Sequence, residues 1–203
     1  MTDAERLETF RRCGRALFGG GLNDSHSGNL SVRGTESLWI TRTGCMLHEL
    51  AADDLVEVTG DSPPGAYLLV SREFPAHRAL YRAGSCAAVV HCHPPWALAW
   101  AMVAEDLVSL TVDARSALGP RVPVLETAVA HGEALAETLA EAMSGHRAVL
   151  VRGHGVFAVG ADLEQATWRA FQVERTAQLT VAARGLGADL TALAAKSYLA
   201  ASE

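Results

Sequence analysis

The stretch Ala148-Val149-Leu150-Val151-Arg152-Gly153-His154-Gly155-Val156-Phe157-Ala158-Val159 decides the fold. Its first four residues are a short apolar run rich in valine, the signature of a strand buried on both faces. Glycines on either side of His154 let the backbone reverse sharply. Val156 to Val159 then reads as a hairpin-like return. A strand that folds straight back on its predecessor pairs with it antiparallel.

Working outward, the other apolar runs fit the same plan. Ala87 to Val90 is a buried strand leading into His91-Cys92-His93, and Pro94-Pro95 ends it. Leu30 to Arg33, Leu38 to Thr41, Leu55 to Thr59, Leu107 to Val112 and Val122 to Leu125 read as further strands. Thr2-Asp3-Ala4-Glu5 is a capping box that opens a helix ended by Gly19-Gly20-Gly21. Helical spacing predicts further helices over Glu73 to Arg82, Trp96 to Val103 and His131 to Met143. Asp162 caps a long helix reaching about Arg184, and a last helix covers Leu190 to Ala200. Strands and helices mix without strict βαβ alternation. That predicts an α/β chain of the α+β type: one mostly antiparallel sheet flanked by helices, with residues 1–203 forming a single domain.

Composition narrows the function. The 203 residues are 49% hydrophobic and 20% charged, which excludes a disordered or collagen-like chain. Seventeen Lys and Arg against 23 Asp and Glu give a net charge of −6, which argues against nucleic acid or an anionic membrane as partner. Cys13, Cys45, Cys86 and Cys92 form no CxxC pair and read as reduced thiols. No apolar run reaches membrane-spanning length, and the charged start predicts no signal peptide. The expected setting is cytoplasmic.

Three clusters are able to carry chemistry. In His91-Cys92-His93, side chains at i and i+2 of a strand share a face, with Cα atoms about 6.6 Å apart. Two imidazoles so placed can converge on one ion, while Cys92 points into the core. His154, in its glycine turn, is a plausible third ligand; three neutral imidazoles and one open position make a catalytic zinc site. Two hydrogen-bonded histidines and a turn histidine would give the same letters. The second cluster is Ser71-Arg72-Glu73 with His77: Ser71 caps the following helix, Arg72 attracts an anion, and Glu73 is a candidate acid/base. A well-capped helix with a dipole-favoured carboxylate is the plainer reading. His77 reads as an orienting or structural histidine. The third comprises two Gly-polar turns, Ser27-Gly28-Asn29-Leu30-Ser31-Val32 and Thr41-Arg42-Thr43-Gly44, either able to cradle phosphate.

Taken in order, GNLSVR, TRTG, SRE with His77, HCHPP and GHG resemble the class II aldolase/adducin family over nearly the whole chain. The resemblance implies a nine-stranded antiparallel sheet in a three-layer fold, assembled as a homotetramer. It implies a divalent metal, zinc first and Mn2+, Co2+ or Fe2+ after it, on His91, His93 and His154. It implies Glu73 as acid/base, where the epimerase branch carries Asp. It implies a phosphate pocket of Gly28, Asn29, Thr43, Gly44 and Ser71, with Arg72 beside it.

The chain also departs from that pattern. Arg72 stands where the sugar-phosphate aldolases commonly carry a second Ser, and it resembles the decarboxylase branch acting on 3-keto sugar-acid phosphates. Leu107 to Val112 lacks the aldolases' Tyr, and Tyr198 is the one local candidate for their C-terminal Tyr. The leading expectation is a metal-dependent carbon–carbon lyase cleaving a phosphorylated hydroxy-ketone through a stabilised enediolate. Decarboxylation of a 3-keto sugar-acid phosphate stands close behind. A metal-free, adducin-like structural module is a distant third, because the chain keeps all three histidines.

Overall fold

Period-two alternation along one central strand sorts the molecule into layers. The structure, a computed structural model, describes residues 2–84, 86–129 and 131–200. In strand β4 (Ala88–Cys92), Ala88, Val90 and Cys92 enter one apolar cluster and Val89 enters another. The first cluster is covered by helices α1 (Asp3–Gly19), α3 (Pro95–Ala101), α4 (Val112–Leu118) and α6 (Leu163–Gly185). The second is covered by α2 (Phe74–Ala83) and α5 (Gly132–Ala142). The result is a helix–sheet–helix sandwich. Fully buried side chains such as Phe10, Leu30, Leu150 and Phe157 contribute about 1.5–3 kcal/mol each in transfer from water.

The sheet also holds β1 (Asn29–Arg33), β2 (Ser37–Thr41), β3 (Leu55–Thr59), β5 (Asp106–Val108), β6 (Arg121–Leu125), β7 (Ala148–Val151) and β8 (Gly155–Gly160). Its order is β3-β2-β1-β4-β8-β7-β6-β5. Every neighbouring pair is antiparallel except β6 with β7. The β7–β8 hairpin and the mostly antiparallel sheet therefore form as the sequence predicts. The chain ends in α7 (Leu190–Ala194) and α8 (Ser197–Ala200).

Three details differ from expectation. Among the described residues the sheet has eight strands, not nine. One isolated bridge, Arg42 to Val70, adds pairing beyond them. It cannot extend, because a 3-10 turn at Pro64–Leu68 lies before Val70 and α2 starts at Phe74. The strand expected over Leu107 to Val112 stops at Val108. Thr111 there accepts the Ala114 N–H at 3.2 Å and caps α4, whose far end is closed by Gly119-Pro120. The last helix divides at Ala195-Lys196. At the other end, the Thr2–Glu5 capping box forms with both bonds present.

Candidate active site

Strand alternation puts His91 on the same side as Val89, facing α2 and α5. Its register partner on β8 is Phe157, whose ring stacks on the imidazole with centroids 4.1 Å apart. His91 Nδ1–H donates to the Val156 carbonyl at 3.0 Å, which leaves the Nε2 lone pair free. His93 Nε2 lies 3.0 Å from that atom. Cys92 faces the opposite core, fully buried, with its thiol pushed strongly toward the protonated form by burial.

The β7–β8 turn brings in His154. Gly153 takes φ +68°, a conformation natural to glycine. Gly155 is needed for a different reason. A Cβ there would stand 2.6 Å from the Cys92 carbonyl oxygen and 2.7 Å from ring carbons of both His91 and His93. The two glycines thus turn the chain and seat His154 against the other rings. Donor atoms of His91, His93 and His154 all lie within 4.8 Å of one another.

This donor set fits one divalent ion. A tetrahedral ion with bonds of about 2.0–2.1 Å spaces neighbouring donors about 3.3 Å apart, close to the His91–His93 separation. Burial first, then the charges of the neighbouring histidines, hold His91 well below the ordinary histidine range. His93 is lowered by burial and by His154. Neutral imidazole is the form that binds metal.

Glu73 meets this cluster from the start of α2. Ser71 Oγ accepts the Glu73 N–H at 3.2 Å, but the N-cap of α2 is Glu73 itself, with no side-chain cap bond, so Ser71 closes a turn just before the helix instead of capping it. The Glu73 side chain is buried, and its Oε1 lies 3.4 Å from His154 Nε2. Burial pushes the carboxyl up, but His154 and His131 outweigh it through hydrogen bonding and charge, so its pKa is lowered on balance. Oε2 is buried without a partner, as is Oδ1 of Asn29. His77 is not in the cluster: its Nδ1 bonds Ser31 Oγ at 2.6 Å, which in turn bonds Tyr81 at 2.7 Å. Burial lowers His77 to about 4, partly opposed by the Glu73 charge.

The residues expected to hold phosphate separate into two groups. Asn29 pairs with His91 across β1 and β4, and Gly28 lies against Asn23 and the His91 carbonyl. Thr43, Ser71 and Arg72 line a pocket of about 640 Å³ with Tyr67 and Arg78. Gly44 sits in the turn beside Thr43, outside the pocket lining. Grooves of about 780 and 790 Å³ lie elsewhere, but the three-histidine cluster is in neither. Tyr198 donates from its hydroxyl to the Leu110 carbonyl at 3.2 Å, beyond the β5 end of the sheet.

Three participants escape the sequence reading. His131 Nδ1 lies 2.6 Å from Glu73 Oε1, whereas the sequence marks His131 only as the start of a helix. Asn23 Oδ1 accepts the His93 N–H at 3.1 Å, tying the ligand strand to the Gly28 turn. Glu174, buried on α6, accepts the N–H groups of Trp96 and Ala97 at 3.2 and 2.9 Å. It thereby caps α3 immediately after His93-Pro94-Pro95; burial raises its pKa. A lone Asn and a mid-helix Glu carry no local signal of such long-range bonds.

Comparison with known proteins places the chain in a family. Residues 8–181 match the family described as Class II Aldolase and Adducin N-terminal domain. L-fuculose phosphate aldolase of Escherichia coli strain K12 is 32% identical over 160 residues, covering 78% of this chain and 74% of that enzyme. A 5-methylthioribulose-1-phosphate/5-deoxyribulose-1-phosphate aldolase of Escherichia coli is 27% identical over 88% of this chain and 84% of its own length. The crystal structure of L-fuculose-1-phosphate aldolase from Thermus thermophilus superposes with a TM-score of 0.84 at 35% identity, covering 92% of this chain and 98% of that one. With most of its length matched and the fold shared, the chain belongs to the class II aldolase and adducin family.

Proposed function

We propose that the protein is a divalent-metal-dependent carbon–carbon lyase that cleaves a small phosphorylated hydroxy-ketone. The observation that carries this reading is the meeting of three histidine donors, within 4.8 Å of one another, with a buried carboxylate 3.4 Å from one of them. His91, His93 and His154 would hold the ion, Zn2+ first among the candidates. When bound, such an ion supplies a Lewis acid for the oxyanion that develops as the carbon–carbon bond breaks.

The chain's own groups do the rest. Glu73, ionised at neutral pH, takes or returns the proton at the carbon beside the carbonyl, contributing about 10²–10⁴-fold. Thr43, Ser71 and Arg72 bind the anionic end of the substrate in the pocket they line. Gly28 and Asn29, which stand against the ligand strand, complete the substrate-binding set in this reading. The working unit in this reading is residues 1–203 as one domain, assembled as a homotetramer.

One observation favours a second reaction. Arg72 is exposed on the pocket wall, where a guanidinium forks onto a carboxylate as readily as onto a phosphate. A 3-keto sugar-acid phosphate that loses carbon dioxide would use the same ion and the same carboxylate. Screening hydroxy-ketone phosphates and 3-keto sugar-acid phosphates, with aldehyde and carbon dioxide assays run in parallel, decides between them. Aldehyde release alone supports the aldolase. Turnover of neither class, by metal-loaded protein, contradicts the lyase reading.

A further inference from the structure

Past Thr41 the chain leaves β2, and Thr43-Gly44 forms a turn in which Gly44 takes φ +73°. Such a turn keeps its shape only through the groups that tie it down. The Thr43 N–H donates to the Leu69 carbonyl at 2.9 Å, and the Ser71 N–H donates to the Thr41 carbonyl at 3.3 Å. Thr41 Oγ1 accepts the Leu30 N–H at 3.1 Å. Arg42 is tied three times to one residue. Its N–H donates to the Asp54 carbonyl at 2.8 Å, and its Nε and Nη2 donate to Asp54 Oδ1 at 3.1 and 2.7 Å. The buried Asp54 is itself anchored, because its Oδ2 accepts the Ala51 N–H at 2.9 Å.

In the sequence Arg42 looks like the charged member of a phosphate-cradling turn. The structure gives its charge another use. A guanidinium held by a carboxylate at hydrogen-bond distance presents little net charge to an anion. The arginines lining the pocket with Thr43 and Ser71 are Arg72 and Arg78; Arg42 is not among the lining residues. The Arg42 side chain is 43% exposed, so it fills no core space that would explain its tie to Asp54.

We propose that Arg42 is a positioning residue: held by Asp54, it fixes the turn that puts Thr43 on the pocket wall, and it does not itself bind the substrate's anion. The inference rests on the reading of this pocket as the site for the substrate's anionic end. The competing role is a direct one, in which Arg42 grips the anion and Asp54 merely restrains it.

Asp54→Asn separates the two roles by sign. It removes a negative charge beside Arg42, which favours an anion, and it loosens the turn, which disfavours one. Inorganic phosphate is titrated calorimetrically into metal-loaded wild type, Asp54→Asn, Arg42→Lys and Thr43→Val. Zn2+ affinity is measured on the same proteins, after metal removal, against a chelating dye. In Asp54→Asn phosphate binding weakens about three- to tenfold, the ratio equivalent to one hydrogen bond, despite the lost negative charge. Arg42→Lys keeps the charge but cannot present two nitrogens to one oxygen, and it weakens phosphate binding by a similar factor. Zn2+ affinity stays within about twofold of wild type in both, because neither residue reaches the histidine cluster. Tighter phosphate binding in Asp54→Asn would make Arg42 an anion ligand and overturn the proposal. Wild-type phosphate binding in Arg42→Lys would also overturn it. A parallel fall in Zn2+ affinity would make the pair a support of the whole fold, with the same consequence. Wild-type protein that binds no phosphate, or Thr43→Val that binds it as wild type does, would instead overturn the reading of the pocket on which the proposal stands.

Discussion

Replacing Gly155 by Ala tests the geometry that packs the three histidines together. The new methyl carbon would lie 2.6 Å from the Cys92 carbonyl oxygen, 2.7 Å from His91 Cε1 and 2.7 Å from His93 Cδ2. Ordinary contact begins at 3.4 Å, so three neighbours must each retreat by 0.7–0.8 Å. The carbonyl belongs to the β4–β8 ladder, where Cys92 pairs with Val156. The His91 ring is held by its bond to the Val156 carbonyl and by the Phe157 stack. His93 is less buried and yields first. Overpacking of this kind costs about 1–3 kcal/mol. Turning one imidazole off the common point lowers metal affinity by about 10–100-fold, the range for disturbed ligand orientation. Urea unfolding and Zn2+ titration measure the two effects. Gly153→Ala is the control: it faces open space at φ +68°, so it strains the turn by about 1 kcal/mol and spares the rings. A Gly155→Ala protein as stable as wild type, with unchanged Zn2+ affinity, would refute this account of the turn.

Glu73→Gln keeps the size of the side chain and removes its proton transfer, so turnover falls by about 10²-fold or more while metal is retained. Near-normal turnover would mean that another group moves the proton. His77, neutral and buried with a pKa of about 4, costs the fold stability as pH drops from 6.5 toward 4, because the unfolded chain takes the proton first. Between pH 7 and 4.5 the loss is roughly 2–3 kcal/mol, and urea melts of His77→Asn should show that much less acid sensitivity; equal sensitivity would refute it. Arg72→Ser should harm carboxylated substrates more than neutral-ended hydroxy-ketone phosphates, by about 1.5–3 kcal/mol in kcat/KM. Equal losses would assign Arg72 to the phosphate that both classes share.

Much of this site is legible in the sequence because its parts are local. The HxH spacing on a buried strand sets two rings on one face whatever surrounds them. Glycines around His154 signal a turn, and Ser71, two residues before Glu73, is near enough in sequence to bond its N–H, although it does not cap the helix. The β7–β8 return is likewise written in adjacent residues. The parts that escape are long-range. His131 reaches Glu73 across 58 positions, Asn23 reaches His93 across 70, and Glu174 reaches Ala97 across 77. Each depends on which helix ends the fold brings together, and a single sequence states that only through the fold. The α4 discrepancy has another cause. Apolar content alone makes Leu107 to Val112 look like one strand, although Thr111 offers a cap and Gly119-Pro120 a stop.

The central claim is that His91, His93 and His154 share one ion. The most direct measurement is anomalous diffraction at the zinc edge from crystals grown with equimolar Zn2+. The account predicts one peak about 2.0–2.1 Å from Nε2 of His91, Nε2 of His93 and a ring nitrogen of His154. A peak bound by Glu73, His131 and His154 alone, or no peak within reach of His91 and His93, would contradict it.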